Sequence, residues 1–319
     1  MNNLLTNEVK TLTAHSFLML WFLLFMSFSH VSLAKTINGF NLSNSDVPID
    51  TISHGGPPKD AIPSIDKPKF RTPTEAELSS SARVLAINYR GIQRAYPINI
   101  LNWHEIVNDN INDQPFMVTY CPLCGSGIAF ESEESGFGVS GLLYNSDVLL
   151  YDRATSSLWS QIGMRAISGK RKGETLKPIA VTHTTLSSWL KKFPDSDILS
   201  TETGFKRDYS TSPYAGYEKT PHLFFKVNKK APDIFHPKSL VLGVRVDGGQ
   251  KAYPYEVLAK NNQREIHDSI NGKKVLIEWD AEAKSATVNT SLSDSTAHGT
   301  QLFWFAWYAF HPETQIYKD

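Results

Sequence analysis

"RVLAINYRGIQRAYPINIL" (residues 83–101) and "LVLGVRVDGGQKAYPYEVL" (240–258) are two stretches of one chain that read almost alike. Arg94-Ala95-Tyr96-Pro97 answers Lys251-Ala252-Tyr253-Pro254. After a two-residue slip the likeness runs on through "IVNDNINDQPFMVTY" (106–120) and "EIHDSINGKKVLIEW" (265–279). Two copies are too few for a solenoid, so the pattern predicts a duplicated unit inside a globular fold. Each copy reads as strand, glycine-containing turn, strand, a short helix opened after proline, a connection with Asn-Asp or His-Asp, and a last apolar strand. Pro97 and Pro254 suit the first turn of that helix, where a missing N–H costs nothing and φ is already set. The expected class is α+β, dominated by mixed or mostly antiparallel sheet and built from two related lobes.

Around the copies the chain divides further. Residues 35–82 form a proline-rich segment, with "SHGGPPKDAIPSIDKPKF" at 53–70 expected to lie extended. The first copy is taken as 83–130. A middle region, 131–239, reads as several strands followed by a short helix at "TLSSWLKKF" (185–193). The second copy and an aromatic C-terminal segment, "FWFAWYAFHPETQIYK" (303–318), make up 240–319. So aromatic a segment should seal the core as a strand or helix.

The first 34 residues read as a signal peptide. Lys10 precedes the apolar run Phe17–Phe28, and Ser32-Leu33-Ala34 offers small residues where a signal peptidase reads. A run this short falls below what a bilayer core of about 30 Å demands of a helix, so export to the periplasm or outside the cell is expected rather than a permanent anchor. An uncleaved N-terminal anchor is the alternative. Charge is balanced, 32 basic residues against 32 acidic, which points away from nucleic acid and from an anionic membrane surface as partners. Protein partners are not legible.

The only two cysteines of the 319 residues stand in "VTYCPLCGSG" (118–127), at the end of the first copy's last strand. An exported dithiol must be oxidised, metal-bound or chemically active. Cys-x-x-Cys brings two sulfurs within reach of one metal ion, while proline limits the turn and the following glycine tolerates its twist. With no second such turn, a metal must recruit His, Asp, Glu or a second subunit, which favours copper or zinc over a four-thiolate iron centre. Dithiol-disulfide exchange is the second reading, with Cys121 attacking and Cys124 resolving. A structural bridge is the third, although so short a loop removes little unfolded-state entropy.

The second copy carries Asp280 where the first has Cys121, and no cysteine follows; His104 likewise faces Gln263. Residues present in one copy alone are the ones to suspect of chemistry, so His104 is the leading third ligand. His311 and His54 are weaker metal candidates, and Asp152 and Arg153 are further pocket candidates, more readily a buried ion pair than catalytic groups. Ser126 does not complete a nucleophile elbow. No phosphate loop or dinucleotide fingerprint indicates a nucleotide cofactor. A non-catalytic module binding a small ligand through aromatic clusters stays open beside the metal and redox readings.

Six motifs, "GGPPKDAIPSID", "AYPINILNWHEIVND", "VTYCPLCGSGIAF", "GLLYNSDVLLYDRATSSLWSQ", "RDYSTSPYAGY" and "FWFAWYAFHPET", together resemble the exported prokaryotic family called domain of unknown function 3179. The resemblance covers nearly all of the chain after residue 34. It implies a single-family protein whose hallmark is the cysteine motif, with Cys121, Cys124, His104, Asp152, Arg153 and His311 all inside matching motifs. It implies no activity.

Overall fold

The computed structural model describes residues 35–289 and 297–318, so the expected signal peptide lies outside the described residues. The first stretch folds as β1 (Arg83–Tyr89), β2 (Ile92–Pro97), α1 (Ile98–His104), β3 (Ile106–Ile111), β4 (Gln114–Cys121) and β5 (Ser126–Glu131). Next come β6 (Phe137–Tyr144), β7 (Asp147–Asp152) and β8 (Leu158–Ser160), then β9 (Thr182–Thr185), α2 (Leu186–Lys192) and β10 (Asp197–Leu199). The second stretch folds as β11 (Leu240–Val246), β12 (Gly249–Pro254), α3 (Tyr255–Asn261), β13 (Glu265–Ile270), β14 (Lys273–Asp280) and β15 (Ser285–Asn289). It is followed by β16 (His298–Phe303), α4 (Trp304–Phe310) and β17 (Gln315–Ile316).

From β1 to β4 and from β11 to β14 the elements agree in order and in length: 7, 6, 7, 6 and 8 residues each time. Local chemistry explains the agreement. Arg90-Gly91 and Asp247-Gly248 both have positive φ, the backbone of a two-residue hairpin turn that matches strand twist. Asn112-Asp113 and Asn271-Gly272 repeat that turn before the last strand. In each stretch a tyrosine hydroxyl donates to a buried-side aspartate, Tyr96 to Asp109 at 2.6 Å and Tyr253 to Asp268 at 2.8 Å. A cation completes each triad: Arg94 lies 2.7 Å from Asp109, and Lys251 lies 2.6 Å from Asp268.

The likeness extends beyond what the sequence pattern showed. The strand β9 pairs with β1 and β16 pairs with β11, both antiparallel, while β10 and β17 add parallel edges to β2 and β12. In α2 the Trp189 indole donates to Ser196 Oγ at 2.7 Å; in α4 the Trp307 indole donates to Thr314 Oγ1 at 2.8 Å. The short helix at 185–193 therefore plays the part in one half that the aromatic C-terminal segment plays in the other.

The described residues are β-rich, with mainly antiparallel sheets and four α-helices of seven residues each. The expectation of two lobes is corrected: the sheets form a five-bladed, propeller-like arrangement in which the matching halves interlock. Across the join, Gln301 Nε2 meets His183 Nδ1 at 3.0 Å, and the Phe303 amide donates to the Cys124 carbonyl at 2.8 Å. The proline-rich segment is more than a surface ribbon, since Phe40, Leu42 and Ile65 are buried and Ile52–His54 is an edge strand on β6. No described helix is long and apolar enough to cross a membrane.

Candidate metal centre

Two tight turns meet to make the site. The first joins β4 to β5: the Cys124 amide donates to the Cys121 carbonyl at 3.1 Å, and Gly125 follows at φ +60°. A side chain at Gly125 would also press on the Phe303 ring, so glycine is required there twice over. The second turn joins β6 to β7, where Asn145 and Ser146 both have positive φ and Tyr144 pairs with Asp147. Asn145 anchors it, donating to the Ala309 carbonyl at 3.2 Å and accepting from the Asn228 amide at 2.8 Å.

The two turns bring Cys121, Cys124 and Asp147 together, with one ligand atom from each lying within 4.8 Å of the others. All three are buried. The cysteines lie 3.8 Å apart and are not joined by a disulfide. Both thiols point at the Ser146 carbonyl, Cys121 Sγ at 3.8 Å and Cys124 Sγ at 3.4 Å. Asp147 Oδ2 accepts from the Ile162 amide at 3.0 Å, whereas Oδ1 is buried with no hydrogen-bond partner among the described residues.

Electrostatics marks this as an unusual place. Burial pushes the Asp147 carboxyl up to about 8 and raises both thiols above their ordinary range. Glu105, at the C-terminal end of α1 in a left-handed conformation, is buried too and is pushed up to about 7 by the same cause. Its Oε1 accepts from the Tyr214 hydroxyl at 3.3 Å, and its carbonyl is fixed by the Tyr120 amide at 2.8 Å. Four buried acidic groups this close to one another, Asp147, Glu105 and the two thiols, must hold protons or meet a cation.

The other sequence candidates fall elsewhere. His104 is buried, but both ring nitrogens are engaged, Nδ1 with the Pro63 carbonyl and Nε2 with the Tyr209 hydroxyl, each at 2.7 Å. It lies outside the cluster of possible donors, whose third member beside the two cysteines is Asp147. His311 packs at a tilt against Trp307 with ring centroids 4.1 Å apart, and its Nε2 is buried without a partner among the described residues. His54 is exposed, its Nδ1 accepting from the Gly56 amide at 3.0 Å. Asp152 and Arg153 do not pair with each other: Asp152 accepts from Thr155 and from the Trp159 indole, and Arg153 binds Asp66 at 2.9 Å. Asp147 was open to detection, because Asn145-Ser146 between the apolar runs "GLLY" and "VLLY" is a hairpin signal that puts Asp147 at a buried strand start.

A groove of about 410 Å³ lies in the second half, lined by Gly249, Gln250, Ile270, Phe310, Pro312 and Gln315 among others. It shares no residue with the cysteine cluster. Its single aromatic wall residue, Phe310, is a thin basis for an aromatic ligand site.

The fold and this cluster define a β-rich protein with a buried dithiol-carboxylate centre. The chain belongs to the family described as protein of unknown function DUF3179, whose model matches residues 59–301. No curated protein and no solved structure matches it.

Proposed function

We propose that this protein is an exported metal-binding protein, holding a zinc or copper ion between Cys121, Cys124 and Asp147. The observation that carries the reading is the convergence of three buried donors, one of them a carboxylate oxygen with no other partner. The donor set fits a metal. Two thiolates suit zinc or copper, and a carboxylate beside them favours zinc over cuprous ion, which prefers sulfur and nitrogen. Ions of either kind replace the protons that burial forces on the pocket.

Thiol-disulfide exchange has less support. An attacking cysteine is exposed and electropositively placed, with a lowered pKa; these cysteines are buried among carboxyl groups, and their thiols are raised. The matching stretches are read as copies of one duplicated unit, of which only the first acquired donors. Export rests on the leader-like residues 1–34.

The test is metal analysis with a free-thiol count on protein purified without chelator or reductant. One zinc or copper per chain, with both thiols protected until chelation, supports the reading. A metal-free protein whose content is unchanged by Cys121→Ser removes it.

A further inference from the structure

Three side-chain polar atoms around the centre are buried and lack a hydrogen-bond partner among the described residues: Asp147 Oδ1, Ser146 Oγ and the Tyr217 hydroxyl. Buried polar groups are nearly always partnered, so three on one site call for something to bind. Asp147 Oδ1 is accounted for by the ion itself. Ser146 and Tyr217 are not, since a neutral hydroxyl is a poor ligand for zinc or copper beside two thiolates.

Tyr217 is held where it is. It sits in a 3-10 turn, Tyr217–Lys219, within the irregular segment 200–239 that packs over the cysteines. The Lys238 ammonium donates to the carbonyls of Tyr217, Thr220 and His222, each at 2.7 Å, and lies 3.3 Å from the centre of the Tyr217 ring. Ser146 is fixed by its left-handed turn and by Asn145, whose side chain accepts from the Asn228 amide in the same covering segment. Neither hydroxyl can relax toward solvent.

The protein thus supplies three metal donors and two hydroxyls, Tyr217 and Ser146, that face each other without closing a full hydrogen bond. Structural zinc sites close with four protein ligands, whereas sites with an exchangeable position keep three. We propose that the fourth position takes a small exogenous oxygen donor, water or hydroxide exchanging with a small oxyanion, gripped by the Tyr217 and Ser146 hydroxyls. This inference rests on the metal reading above. Enclosure limits the ligand's size, because Tyr217 and both cysteines are all buried.

The test loads cobalt(II) into the full mature chain and follows its visible bands during titration with azide, an anionic probe that displaces metal-bound oxygen. In the parent protein the bands shift saturably. In Tyr217→Phe and in Ser146→Ala the cobalt content stays at one per chain, while the azide dissociation constant rises about tenfold, as expected for one lost hydrogen bond to a charged ligand. Bound cobalt whose bands ignore azide means a closed site and overturns the proposal alone. Unchanged azide affinity in both variants overturns it as well, because the hydroxyls then do not touch the ligand. A parent protein that takes up no cobalt overturns this proposal together with the metal reading.

Discussion

The turn after β4 and the turn after β14 occupy the same place in two matching hairpins, yet they have opposite chemistry. In the first, Cys121 and Cys124 are buried against the Ser146–Asp147 turn. In the second, Asp280 is exposed and closes its own turn, accepting from the Ala283 amide at 2.9 Å and from Ser188 Oγ at 2.7 Å. Those bonds keep the Asp280 carboxyl below its ordinary value against the upward push of burial, whereas at Asp147 full burial outweighs its hydrogen bonds and drives the carboxyl up to about 8. A shared backbone is therefore compatible with either a self-satisfied turn or a donor site. What differs is the cover: residues of β6, β7 and the segment 200–239 share a hydrophobic cluster with Cys121 and Cys124, and that cluster includes no residue of β13, β14 or β15.

The largest expected break in this comparison is Cys121→Ser combined with Cys124→Ser, which should reduce bound metal from one ion per chain to none by elemental analysis. The reciprocal change, Asp280→Cys with Ala283→Cys, should create no site, because among the described residues no cluster of possible donors includes Asp280. A stoichiometry of two would break the argument that the cover makes the site. Asp147→Asn keeps shape but removes the charged donor. It should weaken metal binding by more than the roughly 10–100-fold that outer partners command, measured by competition with a chelating dye.

The shared triads sharpen the comparison in the other direction. Asp109→Ala leaves the Arg94 guanidinium without its buried partner and should cost about 3–5 kcal/mol in urea unfolding. Asp268 is less buried, with 18% of its side chain exposed against 4% for Asp109, and Asp268→Ala should cost about 1–2 kcal/mol. Equal losses would mean that burial is not what separates them. Gly243→Ala should cost about 1–3 kcal/mol by overpacking, since a Cβ there runs into the Trp307 indole.

The smallest effect per step is in pH. Asp147 carries a raised carboxyl in the folded state, about 8 against about 3.9 unfolded, so the metal-free fold holds that proton more tightly than the unfolded chain. Its contribution is complete below about pH 4 and is lost as pH rises through 8, at no more than about 1.4 kcal/mol per pH unit. Urea unfolding of chelated protein should show the decline and Asp147→Asn should flatten it. In the same window metal affinity should rise with pH, because the ion displaces that proton.

Much of this was legible in the sequence. The paired stretches, their hairpin turns and the helix after each proline follow from local rules: Gly and Asn for positive φ, alternating apolar residues for half-buried strands, and a proline just before the helix, where Pro97 and Pro254 end their strands as N-caps rather than entering the first helical turn. The kinship between "TLSSWLKKFPDSDI" (185–198) and "FWFAWYAFHPETQI" (303–316) is faint in the sequence, because only Trp189/Trp307, Pro194/Pro312 and Ile198/Ile316 are identical, and the strand pairings are what display it.

The sequence by itself determined which residues carry the chemistry to suspect: one Cys-x-x-Cys turn, in one of two like stretches, in a chain that has no other cysteine. Only tertiary structure decided their company. His104 is near Cys121 in sequence but spends both nitrogens on Pro63 and Tyr209, while Asp147 reaches the sulfurs from another sheet. A metal site needs donors aimed at one point, and that direction is set by how sheets pack and which hydrogen bonds are already taken. Neither quantity is written in local spacing.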